Sequence, residues 1–150
     1  MDITLRPAAP ADDEWCFQLH KAALGDVVAA TWGWDDDVQR DHHAKSFRPG
    51  AWQIIVVDGQ DAGVLIVERR PAEVCLARIE IHPGHQGRGV GTRLVEDLLA
   101  EARHRDQPLV LEVIEANHRA QALYERLGFV ETGRRGVKVL MSAGRPAAPR

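Results

Sequence analysis

The feature that most limits what this chain can become is the hexapeptide Gln86-Gly87-Arg88-Gly89-Val90-Gly91. It lies between a β-type run ending at Ile81-His82-Pro83 and an amphipathic helix starting near Val90. A glycine-rich turn that opens a helix presents unpaired backbone N–H groups and the positive end of a helix dipole, and together these suit a phosphate. Glycine also lets backbone approach a ligand closely, because no Cβ stands in the way. Two nucleotide loops do not fit. A P-loop needs Gly-x-x-x-x-Gly followed by Lys and then Ser or Thr. Gly84 and Gly89 have that spacing, but Val90 and Gly91 follow. A dinucleotide fingerprint needs a third glycine where Thr92 stands, and it follows the first strand of its domain, whereas this loop is mid-chain.

Downstream the pattern is a strand, a cap, a helix and a stop. Leu109 to Ile114 is apolar apart from Glu112 and predicts a strand. Asn117 is a good N-cap, Ala120, Leu123, Tyr124 and Leu127 recur at helical spacing, and Gly128 suits the left-handed position after the helix. Upstream, Ile3 to Arg6 predicts a strand and Pro10 to Leu24 a helix, with Asp12, Asp13 and Glu14 favouring its first turn. Trp32-Gly33-Trp34 is a break, after which Asp35 caps a second helix running to about Phe47. Trp52 to Val57 and Ala62 to Glu68 form a hairpin around Asp58-Gly59, and Glu73 to His82 is a long strand. In the helix from Val90, residues Val90, Leu94, Leu98 and Ala102 make one stripe, with Val95 and Leu99 beside it. Phe129 to Thr132 and Val137 to Met141 predict a closing strand pair around Gly133 to Gly136.

Two motifs, in this order, resemble those of the GNAT family, the Gcn5-related N-acetyltransferases. Gln86-x-x-Gly89-x-Gly91 after a strand resembles the family's pyrophosphate loop. Asn117, then Ala122-Leu123-Tyr124, then Gly128-Phe129 resembles its second motif. The resemblance covers about Cys75 to Phe129 well and the flanks only in layout. It implies one α/β domain (α+β by some schemes) over residues 1–142, ordered β-α-α-β-β-β-α-β-α-β-β. Its sheet is mixed and mostly antiparallel, with helices flanking it. Residues 143–150, a Pro/Ala/Arg tail, are expected to be disordered. The implied activity is direct transfer of the acetyl group of acetyl-CoA to a primary amine, on a small molecule, peptide or protein, with no metal. A non-catalytic acetyl-CoA-binding module and a transferase of longer acyl groups stay open. The resemblance also allows a homodimer.

It further implies that Gln86, Gly87, Arg88, Gly89, Val90 and Gly91 hold the pyrophosphate. Backbone around Ile79 to Ile81 and the side chain of Asn117 would meet the pantetheine arm. Tyr124 would protonate the departing thiolate, a task for which a phenol is a plausible acid. Packing on the helix's apolar face is the competing account of that ring, as helix capping is for Asn117. In the ribosomal-protein branch of the family, a glutamate in a Leu-Glu-Val context twelve residues before the tyrosine acts as the base, and Glu112 matches it. A partly buried carboxylate there would suit the task, whereas a solvent-facing one paired with an arginine would not. Glu80 is the other acidic candidate. Trp32, Trp34 and Asp35 stand where the family holds the acceptor. Tryptophans can wall a cation, although Asp35 to Asp37 also read as an ordinary acidic helix start.

Composition narrows the remainder. One hundred and fifty residues suit one domain, and a net charge of −3 gives no reason to expect nucleic acid binding. Cys16 and Cys75 have neither metal nor redox spacing, so free thiols in a reducing compartment are expected. The seven histidines include the adjacent pair His42-His43 but show no metal-binding spacing, and they read as solvated or loop residues. No signal peptide or membrane span is apparent, so a cytoplasmic location is expected.

Overall fold

The glycine loop needs a strand to bring the chain in and a helix to carry it away, and both are present. In the computed structural model, which describes residues 1–144, the elements follow the predicted order. They are β1 (Ile3–Pro7), α1 (Asp13–Trp32), α2 (Asp36–Ser46), β2 (Gln53–Val57), β3 (Gln60–Arg69) and β4 (Val74–Ile81). Then come α3 (Val90–His104), β5 (Leu109–Ile114), α4 (His118–Arg126), β6 (Val130–Arg135) and β7 (Lys138–Ala143). The strands form one sheet in the order β1-β2-β3-β4-β5-β7-β6. Strands β4 and β5 pair in parallel, through Val74↔Leu109, Cys75↔Val110 and Leu76↔Leu111. The other recorded pairings are antiparallel, so the mixed, mostly antiparallel α/β sheet expected from sequence is the one observed.

The domain contains two compact units. The first comprises Met1–Ile66 and Arg78–Val90. Its core packs Ala8, Cys16, Leu19, Trp52, Ile54 and Val64, with Trp15, Phe47, Val56 and Ile66 against them. Full burial of a side chain such as Ile54 contributes about 1.5–3 kcal/mol. Asp58 and Gly59 both take positive φ, 50° and 80°, and close the β2–β3 hairpin as their pairing predicts. The second unit comprises Val67–Ala77 and the chain from Gly91 on. Here Leu94, Val95, Leu98 and Ala102 of α3 are buried, as their spacing predicts, together with Leu109, Leu111 and Val113 of β5.

Three boundaries differ from the sequence reading. Helix α1 does not stop at Leu24 but continues through Gly25 to Trp32. A mid-helix glycine costs about 1 kcal/mol relative to alanine. Burial of Val28 and a stop at Gly33, with φ 79°, favour the longer helix. Strand β6 runs through Gly133, with a bulge between Glu131 and Gly133, so the turn falls at Gly136, with φ 59°. Ala143 belongs to β7 rather than to a tail, Gly144 follows it with φ 90°, and residues 145–150 of the expected tail lie outside the described residues.

Candidate active site

The loop after β4 is braced locally. His82 Nδ1 accepts from the Gly84 N–H at 3.0 Å, and the Gln86 side-chain amide donates to the Ile81 carbonyl at 2.8 Å. That places the Gln86 amide on strand-end backbone and engages the Ile81 carbonyl, which the sequence reading had assigned to the pantetheine arm. Gly87 and Gly89 take φ of 75° and 80°, a region that L side chains rarely occupy. A Cβ built at either position would meet no atom within 4 Å, so both border open space. The buried Val90 then starts α3, whose fifteen residues give a full helix dipole at that end. Open space, glycine backbone and a helix N-terminus are the parts a pyrophosphate needs. Arg88 contributes an exposed guanidinium, 3.3 Å from Asp58 and 3.3 Å from His85 Nδ1.

The first unit also holds a buried acid. Glu80 on β4 has a side chain 1 % exposed, and its Oε2 lies 2.5 Å from Nδ1 of His20 on α1. Its backbone is crowded from β3, since a Cβ on Gly63 would fall 2.3 Å from the Glu80 carbonyl oxygen. Trp34 packs beside His20, with ring centroids 5.9 Å apart, and also against Phe17. Its indole N–H donates to Asp36, which Lys21 also contacts at 2.9 Å. The two tryptophans therefore part company, because Trp32 is 58 % exposed and Trp34 is half-buried beside His20. Asp35 is the N-cap of α2 and accepts from the Val38 N–H at 3.0 Å. His43 is not a solvated histidine. It is buried among Phe17, Phe47 and Trp52, and its Nε2 lies 2.6 Å from Asp13.

In the second unit, Asn117 caps α4 by accepting from the Ala120 N–H at 3.2 Å. Tyr124 is buried on α4, its ring 5.4 Å from that of Phe129. Burial pushes its phenol up to about 12. Glu112 takes the second of the two environments open to it in the sequence, a carboxylate turned outward and paired with an arginine. Leu111 and Val113 take the inward positions of β5, and alternation turns Glu112 outward, with its side chain 34 % exposed. It forms an ion pair with Arg135 at 2.6 Å, and Lys138 stands 3.9 Å away.

Sequence reasoning missed His20. Its one visible signal was a polar residue beside the buried Cys16, Phe17 and Leu19 of α1. Its partner stands sixty positions away, so the contact could not be read from spacing. Among the described residues, no group of three or more His, Cys, Asp or Glu is arranged to hold a metal ion, and both cysteines are free. Likewise no helix is long and apolar enough to cross a membrane.

Known proteins fit this arrangement. The chain is 40% identical over 75 residues to the N-alpha-acetyltransferase RimI of Mycobacterium tuberculosis, a match covering 49% of this chain and 46% of that one. It is 38% identical over 55 residues to the L-amino acid N-acyltransferase MnaT of Escherichia coli, covering 36% and 32%. The chain thus spans less than half the length of the curated relatives it matches. The fold superposes on the PaiA N-acetyltransferase of Thermoplasma acidophilum in complex with coenzyme A with a TM-score of 0.77. That match has 13% identity and covers 97% of this chain and all of the other. The Acetyltransferase (GNAT) family matches residues 14–129, and the chain belongs to that family.

Proposed function

We propose that the protein is an N-acetyltransferase that moves the acetyl group of acetyl-CoA directly to a primary amine. The observation that carries this is the loop from His82 to Val90, with its two left-handed glycines bordering open space at the start of a fifteen-residue helix. Backbone N–H groups from Gly87 to Gly91 would bind the pyrophosphate, with Arg88 adding charge, main chain at Ile79 and Ile81 would line the pantetheine arm, and the Asn117 side chain would hydrogen-bond to that arm. Acetyl-CoA supplies the acetyl group, activated as a thioester. Tyr124 Oη holds the proton that the departing sulfur needs. The proton lost by the amine goes to the Glu80 side of the site, not to Glu112, whose carboxylate is already held by Arg135 and Lys138. Trp34 would wall the acceptor. Two relatives carry names that refer to L-amino acids and to N-alpha acetylation, so free amino acids and peptide N-termini are the first acceptors to try.

The test has two parts. CoA at a hundredfold its dissociation constant should stabilise the chain by about 2.7 kcal/mol, read as a rise in Tm. Gly89→Val should abolish that rise. Gly50→Ala, another glycine at positive φ with nothing within 4 Å, supplies a control for backbone strain and should keep it. Thiol release from acetyl-CoA across a panel of amines then reads transfer. CoA binding with no release to any amine would point to a binding module instead.

A further inference from the structure

We infer that His20 is the residue that takes the proton from the attacking amine, with Glu80 as its positioning partner. The inference rests on the acetyl-transfer reading above and names the group that reading leaves open.

Three observations carry it. First, exposure divides the pair: the Glu80 side chain is sealed at 1 %, whereas His20 is 15 % exposed. Only the imidazole can meet an incoming molecule. Second, the 2.5 Å contact joins Glu80 Oε2 to Nδ1. A carboxylate can only accept, so Nδ1 carries the ring proton, and Nε2 on the opposite edge has the lone pair. Third, both members are packed against neighbouring groups. Glu80 sits on a strand that crowds Gly63, and the His20 ring lies against Trp34. Of the charged and titratable groups, Glu80 of β4 contacts the imidazole directly, Asp36 of α2 and Lys21 of α1 lie against the Trp34 ring that packs beside it, and Cys16 of α1 feels the charge of Glu80. Asp36 and Lys21 pair with each other and with Trp34, and burial keeps the Cys16 thiol neutral, pushed up to about 12. None of these competes as a base.

The step balances. The amine nitrogen forms its bond to the acetyl carbon, and the carbon–sulfur bond breaks with the electron pair leaving on sulfur. The amine's surplus proton moves to His20 Nε2, and the thiolate on sulfur is protonated by the acid of the acetyl-transfer reading above. The imidazolium so formed is stabilised by Glu80. His20 then gives its proton to solvent, from which the acid that protonated sulfur is restored.

The test uses the full chain. His20→Gln keeps an N–H to donate to Glu80, so the fold is retained, and an unchanged CoA-induced Tm shift checks this. Expected is a fall in kcat/KM of about a hundredfold. The acidic limb of the wild-type pH profile should be lost as well, and it should stay in place when acceptors of different amine pKa are compared. Glu80→Gln should shift that limb rather than erase it, and His42→Gln on the exposed face of α2 should change nothing. Long-range ¹H–¹⁵N spectra of wild type should show neutral His20 with its proton on Nδ1, and Glu80→Gln should remove that preference. A His20→Gln enzyme with full rate and an intact limb overturns the inference and leaves acetyl transfer standing. An Nε2–H tautomer in wild type also overturns it. No transfer to any amine by wild type overturns the enzyme reading, and this inference with it.

Discussion

Tyr124 shows how one environment can serve both packing and chemistry. The ring is 6 % exposed and contacts Phe129, so it is a core residue whatever else it does. The burial that packs it also raises its phenol to about 12, which keeps the proton in place at every pH where an amine is a useful nucleophile. Tyr124→Phe removes only the hydroxyl. Turnover should fall on the order of a hundredfold while affinity for CoA changes little. Equal turnover, with chemistry shown to be rate-limiting, would make Tyr124 a packing residue. Glu112 is the contrasting case. The spacing to Tyr124 is right, but alternation turns the side chain outward to Arg135. Glu112→Gln should therefore keep the acidic limb of the pH–rate profile, and its loss would return the base to β5.

Among the elements, strand β3 is the one whose sequence the site constrains through backbone alone. Gly63 has no unusual φ, yet a Cβ there would fall 2.3 Å from the Glu80 carbonyl oxygen and 3.1 Å from Ile55 Cδ1. Backbone cannot yield as a side chain can. Gly63→Ala should cost about 1–3 kcal/mol, as overpacking does. Gly133→Ala on β6, where nothing lies within 4 Å, should stay within about 0.5 kcal/mol. Chemical denaturation of both variants decides this, and equal midpoints would mean that β3 can shift. The comparison also marks what was legible in the sequence. Asp58-Gly59, Asn117 and Gly128 were readable because turn and cap chemistry is local. Gly25 misled because a helix breaker in isolation was outweighed by packing further along α1, and Gly133 because Gly136 provided the turn. The close approach of Gly63 to Glu80 and the His20–Glu80 pair join segments far apart in sequence, and no local pattern announces them.

Across the whole molecule, ionisation makes stability depend on pH in two directions. Several carboxylates titrate below their ordinary range. Asp12 does so first because the Arg6 guanidinium grips it through two hydrogen bonds, at 2.9 and 3.0 Å, and also because the Ala9 N–H donates to it. Glu14 is held at about 2 by Arg40, and Asp36 at about 2 by Lys21. A lowered folded-state pKa gives stability that is complete above the unfolded pKa, near 4, and is lost as pH falls through the folded value. On the alkaline side the sign reverses. Burial raises Cys16 and Tyr124 to about 12, so their contribution is complete below the unfolded values, near 8.5 and 10, and is lost as pH climbs towards 12. Tm should therefore be nearly flat from about pH 5 to 8 and fall on both sides. Of these three carboxylates, Asp12 is the least exposed, and it ties β1 to the start of α1. Asp12→Ala should cost about 1–3 kcal/mol at pH 7, because it strips partners from Arg6 and from the Ala9 N–H. It should also flatten the acid side, since the variant has already lost what low pH removes. Tyr124→Phe should likewise soften the alkaline fall, with no phenol left to ionise on unfolding. Melting curves from pH 2 to 11 read all three. If Asp12→Ala keeps the wild-type slope below pH 4, acid sensitivity belongs to the exposed pairs rather than to the Arg6–Asp12 clamp.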